Sequence, residues 1–158
     1  MQYNIPAIGG TSWTNLAPTA PTRVDVYAEV TGLTVLSMNG GQHDIAVEND
    51  SAAKALTDFE SYADARRAAG WDRVIVATVC DSTTYTAPQE TVRAELNAAL
   101  RISDHFDAVV DLAVVPQLMD ASNATYFSDG THFTEAGAIA AAAAYEPVLM
   151  DIVAGNLD

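Results

Sequence analysis

Arg73-Val74-Ile75-Val76-Ala77-Thr78-Val79 is a nearly unbroken run of β-branched residues, and the fold turns on how it is read. It lacks the apolar–polar alternation of a strand with one wet face, so it predicts a strand buried on both sides. Such a strand needs helices above and below it. The flanking sequence carries them.

On the amino-terminal side, Asp50 or Ser51 is placed to cap a helix reaching about Ala69, with Leu56, Phe59 and Ala63 on one face and Gly70 as its stop. On the other side, Thr86 and Gln89 have the spacing of a capping box, opening a helix in which Val92, Leu96 and Leu100 align. Further out, Leu33 to Met38 and Asp107 to Ala113 read as strands, and Tyr3 to Ile8 as a short extended segment ending in Gly9-Gly10. Val24 to Val30 reads as a brief helix. Thr134 starts the last helix, which runs to about Val153, and its alanine run Ala138 to Ala144 predicts tight packing. Strands alternating with helices imply right-handed βαβ units. The expected fold is therefore a three-layer α/β/α sandwich with a mainly parallel sheet, one domain spanning residues 1–158.

Composition agrees with a globular chain: 158 residues, 49% hydrophobic and 18% charged. The formal charge of −14 argues against nucleic acid or an anionic membrane as partner, since phosphates would be repelled. No apolar run approaches the roughly 18 residues needed to span a bilayer. The start, MQYNIPAIGG, lacks the basic and apolar regions of a signal peptide, so a cytoplasmic or virion-borne protein, or a piece of a longer chain, is expected. One cysteine, Cys80, excludes an internal disulfide and any cysteine-rich metal centre, and it reads as a small buried residue at a strand end. His105 stands apart from the other two histidines, so no zinc set is expected. No phosphate-binding or dinucleotide motif occurs, and no cofactor is expected.

In parallel sheets, chemistry collects on loops beyond the carboxyl ends of the strands. Gly9 to Trp13, Asn39 to Asp44 and Ser128 to Phe133 occupy such positions. The last, Ser128-Asp129-Gly130-Thr131-His132-Phe133, carries the strongest signal. A histidine that draws a proton from a hydroxyl needs a carboxylate on its other nitrogen, and Asp129 and His132 can supply both from one turn. A D-x-x-H alone is also an ordinary turn before a helix.

The longer string Ser-Asp-Gly-Thr-His-Phe-Thr-Glu-Ala-Gly from Ser128 to Gly137 resembles the last block of the SGNH (GDSL-type) serine ester hydrolases. Gly40-Gly41-Gln42-His43-Asp44 resembles that family's G-x-N-D block, with His43 where the family has an oxyanion-binding asparagine. Ile8-Gly9-Gly10-Thr11-Ser12 resembles its glycine block, with Gly10 best aligned to donate a backbone N–H. The three blocks stand in the family's order, and the match runs from Tyr3 to Val153. The resemblance implies His132 as general base, Asp129 as its orienting partner, and Gly10 with His43 as oxyanion donors, the imidazole facing a cleft they share.

The family's first strand, ending in Gly-Asp-Ser, and the helix after it have no counterpart here. Ser12 and Ser82 stand elsewhere in the motif order and read as turn residues. In the family the first strand lies mid-sheet, between the strands matching Tyr3–Ile8 and Leu33–Met38. Two functions are then expected to compete. One is an acyl or acetyl ester hydrolase module whose serine comes from an upstream segment or a second polypeptide supplying the missing strand. The other is a non-catalytic structural or binding protein of the same fold, for instance in a phage particle or larger assembly.

Overall fold

The computed structural model of the chain describes residues 11–28 and 31–156. The predicted segment Tyr3–Ile8, the Gly9-Gly10 turn and the end of the predicted Val24–Val30 helix lie outside the described residues.

The central strand forms over Arg73 to Ala77 of RVIVATV, while Thr78 and Val79 lie past its end. Three parallel strands, β1 (Val35–Met38), β2 (Arg73–Ala77) and β3 (Ala108–Val110), are ordered β1-β2-β3. Val35 to Met38 pair with Arg73 to Val76, and Ile75 to Ala77 pair with Ala108 to Val110. Helices α1 (Trp13–Leu16), α2 (Ala20–Arg23), α3 (Gln42–Ala46), α4 (Ala52–Ala68), α5 (Ala87–Leu100) and α6 (Glu135–Ala154) complete the mixed α/β architecture.

The pleat of β2 explains the layering. Val74 and Val76 enter a cluster with Phe59, Tyr62, Leu96 and Leu100, so α4 and α5 cover that face. Ile75 and Ala77 enter a second cluster with Val110, Leu112, Leu118 and Phe127, beneath α6. All four residues from Val74 to Ala77 are fully buried. Each valine or isoleucine so placed contributes about 1.5–3 kcal/mol through removed apolar surface. The helix signals also act as expected: Ser51 caps α4, Gly70 follows it at φ +107°, and Gln89 Oε1 accepts from the Thr86 amide at 2.9 Å to open α5.

Several elements differ from expectation. The strand expected over Asp107–Ala113 pairs only from Ala108 to Val110, then turns into a 3-10 segment, Leu112–Val114. Thr78 causes the turn: its hydroxyl donates to Asp111 Oδ1 at 2.9 Å and accepts from the Ala113 amide at 2.9 Å. In place of a helix from Val24 there is a 3-10 turn, Asp25–Tyr27. Two short helices, α1 and α2, precede it with a 3-10 turn, Ala17–Thr19, between them; Pro18 of that turn and Pro21 of α2 stand at helix starts, where the missing N–H does no harm.

The largest difference is α6. Its alanine run was expected to pack tightly, yet only Gly137, Ala141 and Ile152 of the helix are buried. Ala138, Ile139, Ala142, Ala143, Met150 and Val153 are exposed and share one flank at 100° per residue, with exposed Glu135 and Glu146 among them. The 20-residue helix is long and apolar enough to cross a membrane by length and composition. This corrects the expectation that no apolar run approaches that length: Glu135, Glu146 and Asp151 break the run in the sequence but leave the helix apolar on average. Tyr145, bordering the exposed flank, accepts from Ser37 Oγ of β1 at 3.2 Å. Among the described residues, no strand pairs with the outer edge of β1.

Candidate functional site

The loop between Phe127 and Phe133 is closed at its base before any chemistry is considered. Phe127 and Phe133 form an isolated antiparallel bridge, their rings edge-to-face at 5.3 Å, and Phe127 is anchored in the core. The Ser128 amide donates to the His132 carbonyl at 2.8 Å. Gly130 takes φ +78°, and any Cβ there would collide with the Thr83 hydroxyl, so glycine is required at the tip. The Thr83 amide in turn donates to the Gly130 carbonyl at 2.9 Å, docking the loop on the segment that leaves β2.

Within this frame one carboxylate organises both backbone and imidazole. Asp129 Oδ1 accepts from the amides of Thr131 at 3.0 Å and His132 at 2.8 Å, while Oδ2 lies 2.8 Å from His132 Nδ1. The backbone bond from His132, then the bond to its ring, hold the Asp129 carboxyl down at about 2. Asp129 is therefore charged at neutral pH. A carboxylate on Nδ1 makes that nitrogen the donor and leaves Nε2 as the acceptor, the tautomer a general base requires. The His132 side chain is 77% exposed, open to whatever approaches it.

His132 borders an open hollow of about 190 Å³, with Asn39, Gly40, Gln42, Cys80, Thr131 and Phe133 as its other walls. The loops after β1 and β2 thus meet the Asp129/His132 loop. The β1 loop is shaped by its glycines: Gly41 has φ +94°, and a Cβ on Gly40 would lie 2.8 Å from the Trp13 ring. His43 sits one residue past the hollow, in α3, with Nδ1 directed to Glu48 Oε1 at 3.7 Å. Gly10 lies outside the described residues. Asn39 and Gln42 were not singled out from the sequence, although each carries an amide donor suited to a developing oxyanion. Asn39 directly follows the last residue of a strand, which is the one signal that could have found it.

No nucleophile is poised among the described residues lining this hollow. Cys80 is buried, and burial chiefly pushes its thiol up to about 12, leaving almost no thiolate at neutral pH. Ser82 is 4% exposed, its hydroxyl engaged with Thr84 at 2.8 Å and Thr131 at 2.7 Å. It supports the loop from beneath. Ser12 caps α1, accepting from the Asn15 amide at 3.4 Å and the Asn15 side chain at 2.9 Å. No protein-family model matches the chain, and no curated protein matches it either.

Proposed function

We propose that the chain is an SGNH-type ester hydrolase module, acting on acyl or acetyl esters, whose nucleophilic serine is supplied by an upstream segment or another polypeptide. The observation that carries this reading is the Asp129–His132 pair. Its carboxylate is fully committed to the imidazole and its own loop, and His132 borders an open hollow. His132 would take the proton from the incoming serine hydroxyl and return it to the leaving alcohol. Asp129 would steady the imidazolium between these steps. Gly10 and His43 are the oxyanion donors the motif order suggests, and Asn39 or Gln42 offers a further amide beside the hollow.

Two surfaces support a partner that brings both a strand and a helix. The outer edge of β1 offers backbone groups for parallel pairing, and the exposed flank of α6, apolar apart from Glu135 and Glu146, would suit an amphipathic helix. A strand docked on β1 would end near Asn39 and Gly40, bringing a serine at its tip towards His132.

A second reading, a non-catalytic protein of the same fold, is favoured by the structural employment of Ser12 and Ser82. Ester turnover separates the two. The isolated chain should show no appreciable hydrolysis of short p-nitrophenyl esters, because a base without a nucleophile recovers little of the acceleration. Adding the polypeptide that completes the sheet should restore turnover, and His132→Ala should abolish it. A completed complex that binds but stays inactive would leave the non-catalytic reading. Activity of the lone chain abolished by Ser82→Ala would mean that the serine is already present.

A further inference from the structure

Where α3 meets α4, at a hollow with different walls from the one beside His132, three carboxylates converge. Asp44, Asp50 and Asp58 each place an oxygen within 4.8 Å of the others. Asp44 is fully buried. Its Oδ1 accepts from the Trp13 amide at 3.1 Å, and its Oδ2 has no partner among the described residues. Leaving a carboxylate oxygen dry and unpaired is costly. Burial, reinforced by the charges of Asp50 and Asp58, holds the Asp44 carboxyl above its ordinary range. The one lysine of the chain, Lys54, answers only part of this charge. Its ammonium bonds Asp58 and stands 4.0 Å from Asp50, but it makes no bond to Asp44.

We propose that Asp44, Asp50 and Asp58 form a calcium-binding site, with Lys54 displaced from it when the ion enters. Calcium takes oxygen ligands at about 2.3–2.6 Å, so oxygens bound to one ion lie up to roughly 5 Å apart, a spread that contains this cluster. Magnesium, at about 2.0–2.1 Å, demands near-ideal octahedral geometry and gives up its waters reluctantly, so carboxylates from separate elements suit calcium better. The Thr14 hydroxyl, 2.8 Å from Asp58 Oδ2, is a neutral fourth oxygen beside the cluster. A hollow of about 220 Å³ lined by Ser12, Thr14, Asn15, Glu48, Asp50 and Lys54 opens there, providing an entry path and room for the remaining water ligands. The Lys54 side chain is half exposed, so it can swing into solvent at little cost. The ion would tie α3, the start of α4 and the entry to α1 together, and it would offer a partner to the Asp44 oxygen that has none among the described residues.

The test is calorimetric titration of chelator-treated full chain with calcium chloride, alongside thermal melts. Binding at or below about 1 mM is expected, with Tm rising by a few degrees in excess calcium, because the folded state gains RT ln(1 + [L]/Kd) of stability. Asp50→Asn should abolish both effects. Lys54→Met, which removes the competing cation, should tighten binding about tenfold. Magnesium chloride at equal concentration should give the smaller response. Absence of binding by wild type and Lys54→Met alike, at 10 mM calcium (roughly tenfold above the weakest expected Kd), would overturn the proposal. Binding by Lys54→Met alone would also overturn it, making Lys54 the resident cation. An equal Tm rise in Asp50→Asn would reduce the effect to general screening and overturn it too.

Discussion

At the scale of single residues, Asp129 ties backbone order to chemistry. Its carboxyl is held near 2 against an ordinary 3.8, so its bonds to Thr131 and His132 are fully formed above the ordinary value. They are lost only as pH falls through the lower one. A titration of the Asp129 side-chain carbon followed by NMR should therefore have its midpoint near 2, with the His132 amide resonance moving in step. A midpoint close to 4 would show that the carboxylate is not committed to the loop. Asp129→Asn keeps an oxygen for the two amides but turns an N–H donor towards His132 Nδ1. That selects the tautomer with a proton on Nε2, which cannot act as base.

At the scale of elements, the end of β2 is positioned by a helix side chain rather than by a neighbouring strand. Asn97 of α5 is buried, its Oδ1 accepting from the Val79 amide at 2.7 Å and its Nδ2 donating to the Val79 carbonyl at 2.9 Å. Arg93 also donates to that carbonyl, at 3.0 Å, so the amide depends on Asn97 alone. Asn97→Ala should cost about 1–3 kcal/mol in urea denaturation, the penalty for a buried unpaired donor. It should also speed hydrogen exchange at Val79. A variant as stable as wild type, with the Val79 amide still protected, would show that another group pairs it. Because Val79 leads straight into Cys80, Asp81 and Ser82, this anchor also sets the floor beneath Thr131. Asp107 plays the matching part at the other end of the strand, accepting from the Val74 amide at 2.7 Å and pairing with Arg67 at 2.6 Å.

At the scale of the whole molecule, the unusual feature is an open side. The outer edge of β1 is unpaired among the described residues and α6 exposes Ala138, Ile139, Ala142, Ala143, Met150 and Val153 around Glu135 and Glu146, while the other face of the sheet is covered by α4 and α5. Substituting Ile139 and Met150 of α6 with lysine should leave the isolated chain folded, its stability within about 0.5 kcal/mol, since both side chains are solvent-exposed. The same pair should eliminate any complex seen by native mass spectrometry of the protein from its natural source. If the complex survives both substitutions, the partner does not use α6, and the strand edge alone must hold it.

The elements whose signals are local were legible in the chain. RVIVATV as a doubly buried strand, the Ser51 and Thr86 helix starts and the Gly70 stop depend on neighbours a few residues away. The Asp129–His132 hydrogen bond belongs here too, because both partners lie on one turn. What lay beyond sequence reasoning depends on residues far apart in the chain. Thr78 meeting Asp111 shortens β3, and the converging ends of β1 and β2 bring Asn39, Gln42 and Cys80 to His132. The convergence of Asp44, Asp50 and Asp58 needs α3 to fold back beside α4. An alanine-rich run reads as buried because alanine is apolar and small. Its actual exposure on α6 is decided by which neighbours are there to cover it, and only tertiary structure shows that.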